Sequence, residues 1–517
     1  MMMMRKVVLL IQPPILTREG AQMNAFYPLG LAYLSGYLKR HVPDVSPIIL
    51  DALAEGFPNQ YRYREKYIIH GLDLQDIEQA IRDVKPSIVG INCNFTNQHD
   101  IAVHVAEAAK AVSNDIVTVI GGSHASAVPA ELLESDAVDI VCRGPSEKTF
   151  ANVVRCVLAR GSLRDIPSIA YRDGDGACIV RPLQPPAMDI NDIPFPDYES
   201  LQLEKYRKLY PYFPTRPAHD SVMPLLTARG CPYNCTFCYV SRAWGKTITH
   251  RSLDNIRQEL MYLRDLCEVE ELHIVDDNFG FFTEETMRFI DEAKKFGIKK
   301  IVPFSGSTLK ALNNPSFLDK LSEIGIEHLR IYPESGSPDT LKRMKKPQNV
   351  QLLHSAMDAA RQRGFLLYGH FILGFPWQTL PDMVREIDLA KGLGVDYHYF
   401  SALNALPGTS LYEECRSAGH LASEVNYADF NLNHGNISTN EFSNWDVEWM
   451  AKQAYIETNF SSERTLFAGM KIFNTSMIEL KSRKDRAEFF MNQISGRALR
   501  AQQVWGEATG DTGERNV

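Results

Sequence analysis

The stretch TARGCPYNCTFCYV, residues 227–240, places three of the nine cysteines of the chain within eight residues. Cys231, Cys235 and Cys238 follow the spacing CxxxCxxC. Three thiols are too many for one disulfide and one short of a closed tetrahedral zinc site. We therefore expect a 4Fe–4S cluster in which three thiolates bind three irons and the fourth iron takes an exchangeable ligand. The alternatives are a zinc site, for which the nearest downstream histidine is His250, and a disulfide with one free thiol.

Strands and helices alternate around this loop and predict the fold of residues 216–412. Six short apolar strands are each followed by a helix. The strands are predicted at 223–230, 271–277, 300–306, 328–335, 367–374 and 396–404. Six such units indicate a parallel (β/α)6 barrel that is two units short of eight, in which the chemistry lies at the carboxyl ends of the strands.

Residues 5–150 show a second alternation of β-branched strands with helices, which predicts a doubly wound parallel sheet. Its ligand site should lie in the loops after the strands. A DGDG turn predicts a hairpin at about 168–180. We therefore expect an α/β chain with four parts. They are a Rossmann-type domain with a terminal hairpin (1–185), a proline-rich linker (186–215), the barrel (216–412) and a mostly helical substrate or cap region (413–517).

The composition narrows the class of protein. The formal charge is −8, which gives no support for nucleic acid as the main partner. No apolar run approaches the roughly 20 residues that a membrane-spanning helix needs. Apart from the three clustered cysteines, the others are scattered singly, as expected in a reducing compartment. We predict a cytoplasmic protein without a membrane span.

The CxxxCxxC motif after the first strand of a six-unit barrel resembles the signature of radical S-adenosylmethionine (SAM) enzymes. The resemblance implies that the open iron binds SAM. One electron, supplied by a donor such as flavodoxin or ferredoxin, then cleaves SAM to a 5′-deoxyadenosyl radical. That radical abstracts hydrogen from an unactivated position of a small-molecule substrate.

Several other residues resemble SAM-contacting positions of this family. The segments are the aromatic neighbours of the cysteines, a DDNF segment, an ESG segment and an FILG segment. The residues implied are Phe237, Tyr239, Asp276, Asp277, Asn278, Glu334, Ser335, Ile372 and Gly374. Strand-end carboxylates also cap helices, which is the alternative role for the acidic ones. Pro333 departs from the family pattern, because proline inside a strand removes a ladder donor.

The order of a doubly wound domain, a proline-rich linker and this barrel resembles the cobalamin-binding subgroup of the same superfamily. The resemblance implies a cobalamin site that includes Asn94, Thr96, Gly121, Gly122, Ser123, His124, Gly144 and Glu147. The segment 143–147 departs from the usual RGEGE at Pro145 and Ser146. Residues 1–185 contain no DxHxxG motif, so we expect cobalamin without a protein histidine on cobalt. His124 is the alternative ligand, although a role in lining the nucleotide tail is favoured.

The leading hypothesis is a cobalamin-dependent radical SAM methyltransferase that acts on an unactivated carbon of a small-molecule or natural-product intermediate. In such enzymes one SAM methylates reduced cobalt and a second yields the radical. The alternatives are a cyclase, oxidase or rearrangement enzyme on the same scaffold, and a non-enzymatic iron–sulfur or cobalamin sensor. No residue is assigned as catalytic. His273, His370 and Tyr332 are candidates to face the substrate inside the barrel, with packing as the alternative.

Overall fold

The computed structural model describes residues 5–184, 188–431 and 434–509. The chain forms two compact units. The first unit comprises residues 1–213, 242–252 and 427–429, and the second comprises 214–241, 253–426 and 430–517. Within the described ranges, no helix is both long and apolar enough to cross a membrane.

Eighteen strands occur in the described residues. They are β1 (Lys6–Gln12), β2 (Ile15–Arg18), β3 (Val45–Asp51), β4 (Gln60–Tyr63), β5 (Tyr67–His70), β6 (Ile88–Asn92), β7 (Val117–Gly121), β8 (Ile140–Cys142), β9 (Ile169–Arg172), β10 (Cys178–Val180), β11 (Val222–Leu225), β12 (Ala228–Gly230), β13 (Ile248–His250), β14 (Glu271–Ile274), β15 (Lys300–Pro303), β16 (His328–Glu334), β17 (Leu366–Leu373) and β18 (Tyr397–Ala402).

The same parts of the chain hold twenty-one α-helices. They are α1 (Leu29–His41), α2 (Ala52–Gly56), α3 (Leu74–Val84), α4 (His99–Val112), α5 (Ser123–Ala127), α6 (Pro129–Leu132), α7 (Glu147–Leu158), α8 (Leu203–Arg207), α9 (Val240–Ala243), α10 (Leu253–Leu266), α11 (Thr283–Lys295), α12 (Leu309–Leu312), α13 (Pro315–Glu323), α14 (Pro338–Arg343), α15 (Val350–Arg361), α16 (Leu380–Gly392), α17 (Ser410–Ser417), α18 (Asn444–Asn459), α19 (Glu463–Phe473), α20 (Met477–Ile494) and α21 (Leu499–Thr509).

The first unit is built on a seven-stranded sheet in the order β10-β9-β8-β7-β6-β1-β3. Five strands are parallel, and β9 and β10 add an antiparallel hairpin at one edge. Counted along the chain, the parallel strands follow the order 2-1-3-4-5. In such a sheet the direction of winding reverses between the first and third of these strands, here β1 and β6, and a ligand crevice opens there. The predicted doubly wound domain is confirmed.

A second, three-stranded antiparallel sheet in the order β2-β5-β4 belongs to the same unit and was not predicted. Its strands have four residues each, and β4 (QYRY) carries no apolar alternation that would reveal it. Leu16 and Ile69 of this sheet are buried together with Ile101 of α4 and Ala428. The sheet is therefore held by packing with residues far away in the sequence.

The second unit contains the six parallel strands predicted for the barrel, and each has its following helix. They form two three-stranded sheets, β11-β14-β15 and β16-β17-β18. Between β15 and β16, side chains replace part of the backbone ladder, because Arg330 and Tyr332 both donate to the carbonyl oxygen of Phe304, at 3.4 and 3.2 Å. The partial barrel is thus confirmed, with a side-chain-bridged seam in its middle.

Four helices, α18 to α21, complete the second unit and confirm the helical C-terminal region. The Asn459 side chain at the end of α18 accepts from the backbone N–H of His398 in β18 and donates to its carbonyl oxygen, both at 2.8 Å. Near the start of the helix, Val447 packs against Gly374, which follows β17. α18 therefore runs along the barrel from the carboxyl ends of the strands toward their starts.

Candidate functional sites

The cysteine loop, residues 231–238, follows β12 at the carboxyl-end edge of the barrel. Its backbone is anchored at Thr236, whose N–H donates to the Met344 carbonyl oxygen and whose own carbonyl accepts from Leu411 N–H, both at 3.0 Å. Leu411 lies in the first turn of α17, which Thr409 caps. The loop is thus fixed from two sides, by the end of α14 and by the helix that follows the PGT segment.

All three thiols of the cysteine loop are free and partly buried. Burial raises the pKa of Cys231 and Cys235, and raises that of Cys238 to about 11. Asn278 Nδ2 lies 3.8 Å from Cys231 Sγ and can donate to a thiolate there. The donor set suits a 4Fe–4S cluster, whose iron charge deprotonates thiols.

A mononuclear zinc site would need its ligands to converge on one point. In the described ranges, no group of three or more His, Cys, Asp or Glu side chains is arranged to hold a single metal ion. A cluster does not require such convergence, because each thiolate binds a different iron.

The two carboxylates after β14 support the chain that enters the cysteine loop. Asp276 accepts from the backbone N–H groups of Thr227 and Ala228, at 2.6 and 3.1 Å. Asp277 accepts from Gly230 N–H at 2.8 Å. Burial raises the pKa of Asp276 to about 6. Both residues hold the loop in place, and their contact with SAM stays a prediction.

Strand β16 ends in an irregularity that accommodates Pro333. Its register against β17 shifts between Ile331 and Glu334, so the proline takes no regular place in the ladder. Glu334 adopts the left-handed conformation (φ +62°), which is costly for a residue with a side chain. Lys346 Nζ lies 2.7 Å from Glu334 Oε1, while Ser335 Oγ donates to the buried Glu386. Glu334 and Ser335 are thus held at the carboxyl edge, as the prediction of SAM contact requires.

The remaining SAM candidates lie at the end of β17 and around the third cysteine. Gly374 has a φ of +93°, and its N–H donates to Gln378 Oε1 at 3.0 Å. The Phe237 ring meets the Phe375 ring edge-on, with centroids 6.2 Å apart. Ile372 and Tyr239 are half-buried. The structure therefore brings Phe237 to the segment that directly follows β17.

A polar layer lies inside the barrel. Its residues in β16 and β17 come two positions before the SAM candidates Glu334 and Ile372 of the same strands. Tyr332 of β16 stacks on His370 of β17, with centroids 4.6 Å apart, and Tyr399 of β18 lies 5.3 Å from the same histidine. His370 Nε2 is buried and has no hydrogen-bond partner among the described residues. Burial lowers the pKa of His370 to about 3, so the imidazole is neutral at physiological pH. His273, in contrast, is bonded to Glu271.

The cobalamin candidates of the first unit surround the carboxyl ends of β6, β7 and β8. Gly122 has a φ of +128°, and a Cβ there would lie 2.6 Å from the Cys93 carbonyl group. Asn94 Oδ1 accepts from Ser123 N–H at 3.1 Å. The loops after β6 and β7 therefore touch through backbone atoms, which only glycine at position 122 permits.

The other candidates lie beside these loops. Gly144 also has a positive φ, and its N–H donates to Ser126 Oγ at 2.8 Å. Glu147 is buried in the first turn of α7, and Thr96 follows Phe95. Phe95 is 55% exposed and packs against the exposed Phe26, with centroids 6.1 Å apart. This exposed aromatic pair suits a large, flat ligand. Phe95 lies in the loop after the central strand that the sequence predicts to face such a ligand, whereas Phe26 was missed because an isolated phenylalanine gives no motif.

His124 points into the first unit. It is 3% exposed, and its Nε2 lies 3.0 Å from His99 Nδ1. The rings of His99 and Tyr427 lie 4.5 Å apart, and the Tyr427 hydroxyl donates to Glu131. Burial lowers the pKa of His124 to about 3. This buried cluster engages Nε2 of His124, while its Nδ1 is buried and has no hydrogen-bond partner among the described residues.

Sequence reasoning also missed Lys346, Glu386 and Thr236, which hold the predicted site residues. Lys346 and Glu386 are separated from their partners by 12 and 51 residues. No spacing rule connects such pairs. A lysine in a charged run and a glutamate inside a helix have no distinguishing signal in a single sequence.

Comparison with known families identifies both domains. The model of the radical SAM superfamily matches residues 225–428, and the model of the B12 binding domain matches residues 24–154.

Similar proteins cover most of the chain. Cytidylyl-2-hydroxyethylphosphonate methyltransferase of Streptomyces wedmorensis is 29% identical over 86% of this chain and 88% of its own length. Anaerobic magnesium-protoporphyrin IX monomethyl ester cyclase of Rubrivivax gelatinosus is 24% identical over 92% and 83%. OxsB, a cobalamin-dependent radical enzyme solved with aqua-cobalamin and SAM bound, shares the fold at a TM-score of 0.66 and 15% identity, covering 97% and 75%.

Proposed function

Since the chain belongs to the cobalamin-binding subgroup of the radical SAM enzymes, we propose that it is a methyltransferase. The proposed acceptor is an unactivated carbon of a small-molecule intermediate. The observation that carries the proposal is the presence of both domains in one chain that matches a methyltransferase along most of its length. The non-enzymatic sensor is not retained, since the relatives are enzymes.

When bound, the cluster supplies the electron that generates the radical, and cobalamin supplies the methyl carrier. The contribution of the chain is to position these groups and exclude water. Cys231, Cys235 and Cys238 would hold the cluster. Asp276 and Asp277 keep the entering segment rigid. Glu334, fixed by Lys346, and the turn at Gly374 would orient SAM.

The polar layer of Tyr332, His370 and Tyr399 is proposed to face the substrate. A buried imidazole nitrogen without a protein partner is costly, and a substrate hydrogen bond would remove that cost. His370→Phe should therefore leave the thermal unfolding temperature unchanged or raised, while the yield of modified product falls by about tenfold or more. Destabilisation without a loss of product would show that His370 only packs.

A cyclase is the second candidate, because the cyclase relative covers more of this chain than the methyltransferase does. The two reactions differ in their by-products. Anaerobically reconstituted enzyme would be given SAM labelled with a deuterated methyl group and candidate substrates. Methyl transfer predicts label in the product and S-adenosylhomocysteine together with 5′-deoxyadenosine. 5′-Deoxyadenosine without S-adenosylhomocysteine would favour the cyclase.

A further inference from the structure

An exposed group of cations lies at the end of α14, the short helix that follows β16. Lys342, Arg343 and Lys345 are all exposed, and Asp339 is the only acidic side chain of α14. None of the three cations forms an ion pair with a carboxylate within the described parts of the chain. The whole chain has a formal charge of −8, so this concentration of positive charge is local. We call these three residues the basic patch.

The basic patch is joined to the cysteine loop by the backbone. Met344, between Arg343 and Lys345, is fully buried, and its carbonyl oxygen accepts from Thr236 N–H at 3.0 Å. Thr236 directly follows Cys235. The fourth cation of the segment, Lys346, turns inward to Glu334. The patch is therefore separated from a predicted cluster ligand by one hydrogen bond and a few covalent bonds.

An aromatic stack provides a second connection between the patch and the loop. The Arg343 guanidinium lies 4.5 Å from the centre of the Trp377 ring. Trp377 stacks on Phe375 with centroids 4.9 Å apart and an interplanar angle of 22°. Phe375 in turn meets Phe237, which lies between the second and third cysteines. Polarisable rings thus run from an exposed cation to the cluster loop.

We propose that the basic patch is the docking surface for an acidic one-electron donor protein that reduces the cluster. The inference rests on the proposed radical function. In the step it serves, the donor loses one electron and the cluster gains one, and no proton or covalent bond moves. Opposite charges steer such partners together and raise their association rate. A solvated charge run elsewhere on the surface would lack both connections to the cysteines.

The test mixes reconstituted holoenzyme with flavodoxin, an acidic FMN protein, in its reduced or oxidised form. The variant K342E/K345E reverses two charges of the patch. The matched control K471E/K481E reverses two exposed lysines of the second unit outside the cysteine region. Binding of oxidised flavodoxin is measured by fluorescence, and cluster reduction by reduced flavodoxin or by dithionite is followed by its visible absorbance.

The patch variant should bind flavodoxin about tenfold more weakly than the control at low ionic strength, with the difference shrinking at high salt. Its cluster should be reduced by dithionite at the normal rate. Equal binding of flavodoxin by the patch variant and the control would overturn the inference. If K342E/K345E does not fold, K342Q/K345Q should show a smaller loss. Failure of dithionite-reduced enzyme to cleave SAM would instead contradict the proposed function.

Discussion

The cysteine loop of the second unit and the glycine loop of the first unit, residues 121–124, form their candidate sites from different chemical groups. The cysteine loop uses side chains, whereas the glycine loop uses the backbone. In the cysteine loop, the three thiols are free to bind a cluster. The backbone in and before the loop donates hydrogen bonds to the Asp276 and Asp277 carboxylates and to the Met344 carbonyl oxygen. In the glycine loop, Gly122 and Cys93 approach through their backbones, and the nearby His124 is turned into the interior. A site made of side chains leaves a motif in the sequence, whereas a site made of backbone leaves only small residues.

The largest effect should come from the cysteine loop. Cys235→Ala removes one of three cluster ligands, and we expect loss of the cluster with complete loss of 5′-deoxyadenosine formation. Iron content and visible absorbance measure the first, and chromatography the second. Cys178→Ala, at an exposed free thiol, is the control and should change neither. A full cluster in Cys235→Ala would show that the side-chain site has been misplaced.

A backbone change should have the next largest effect. Gly122→Ala places a Cβ against the Cys93 carbonyl at an unfavourable φ, which should destabilise the first unit by about 2–3 kcal/mol and lower cobalamin retention. Gly174→Ala is the control, because a Cβ there meets no atom within 4 Å. Differential scanning calorimetry and the cobalt content check both. Full retention of cobalamin by Gly122→Ala would separate the glycine loop from the ligand.

A pH-dependent effect of similar or smaller size should arise in the first unit at Asp51. This buried carboxyl accepts from Tyr206 and from two backbone N–H groups, yet burial raises its pKa to about 6. Because the folded pKa lies above the unfolded value, its stabilising contribution is present below about pH 4 and lost as pH rises through about 6.

The wild type should therefore lose about 2–3 kcal/mol relative to Asp51→Asn between pH 4 and pH 8. Urea unfolding at several pH values measures the difference. If the free energy of unfolding changes with pH equally in both proteins, the pKa of Asp51 is not raised in the folded state.

The smallest effect should be at His124. Since its Nε2 is bonded to His99, His124→Gln should leave the electron paramagnetic resonance spectrum of bound cob(II)alamin unchanged. Loss of a nitrogen splitting in the variant would identify His124 as a cobalt ligand and would make the first unit a side-chain site too.

Much of the architecture follows from local pattern. The six barrel strands and the helices α3 and α4 could be located because their apolar periodicity lies within each segment. The β2-β5-β4 sheet could not, because its short strands gain their burial from residues such as Ile101 and Ala428. Lys346 and Glu386, the partners of Glu334 and Ser335, could not be predicted for the same reason. Their roles depend on contacts across the fold.

The most direct test of the central claim, that SAM serves both sites, needs no knowledge of the substrate. Holoenzyme with bound cobalamin would be reduced and given SAM in a single turnover, and S-adenosylhomocysteine would be counted. If SAM methylates cobalt, one S-adenosylhomocysteine should form per bound cobalamin, and none should form in cobalamin-free enzyme. Accumulation of 5′-deoxyadenosine with no S-adenosylhomocysteine would contradict it.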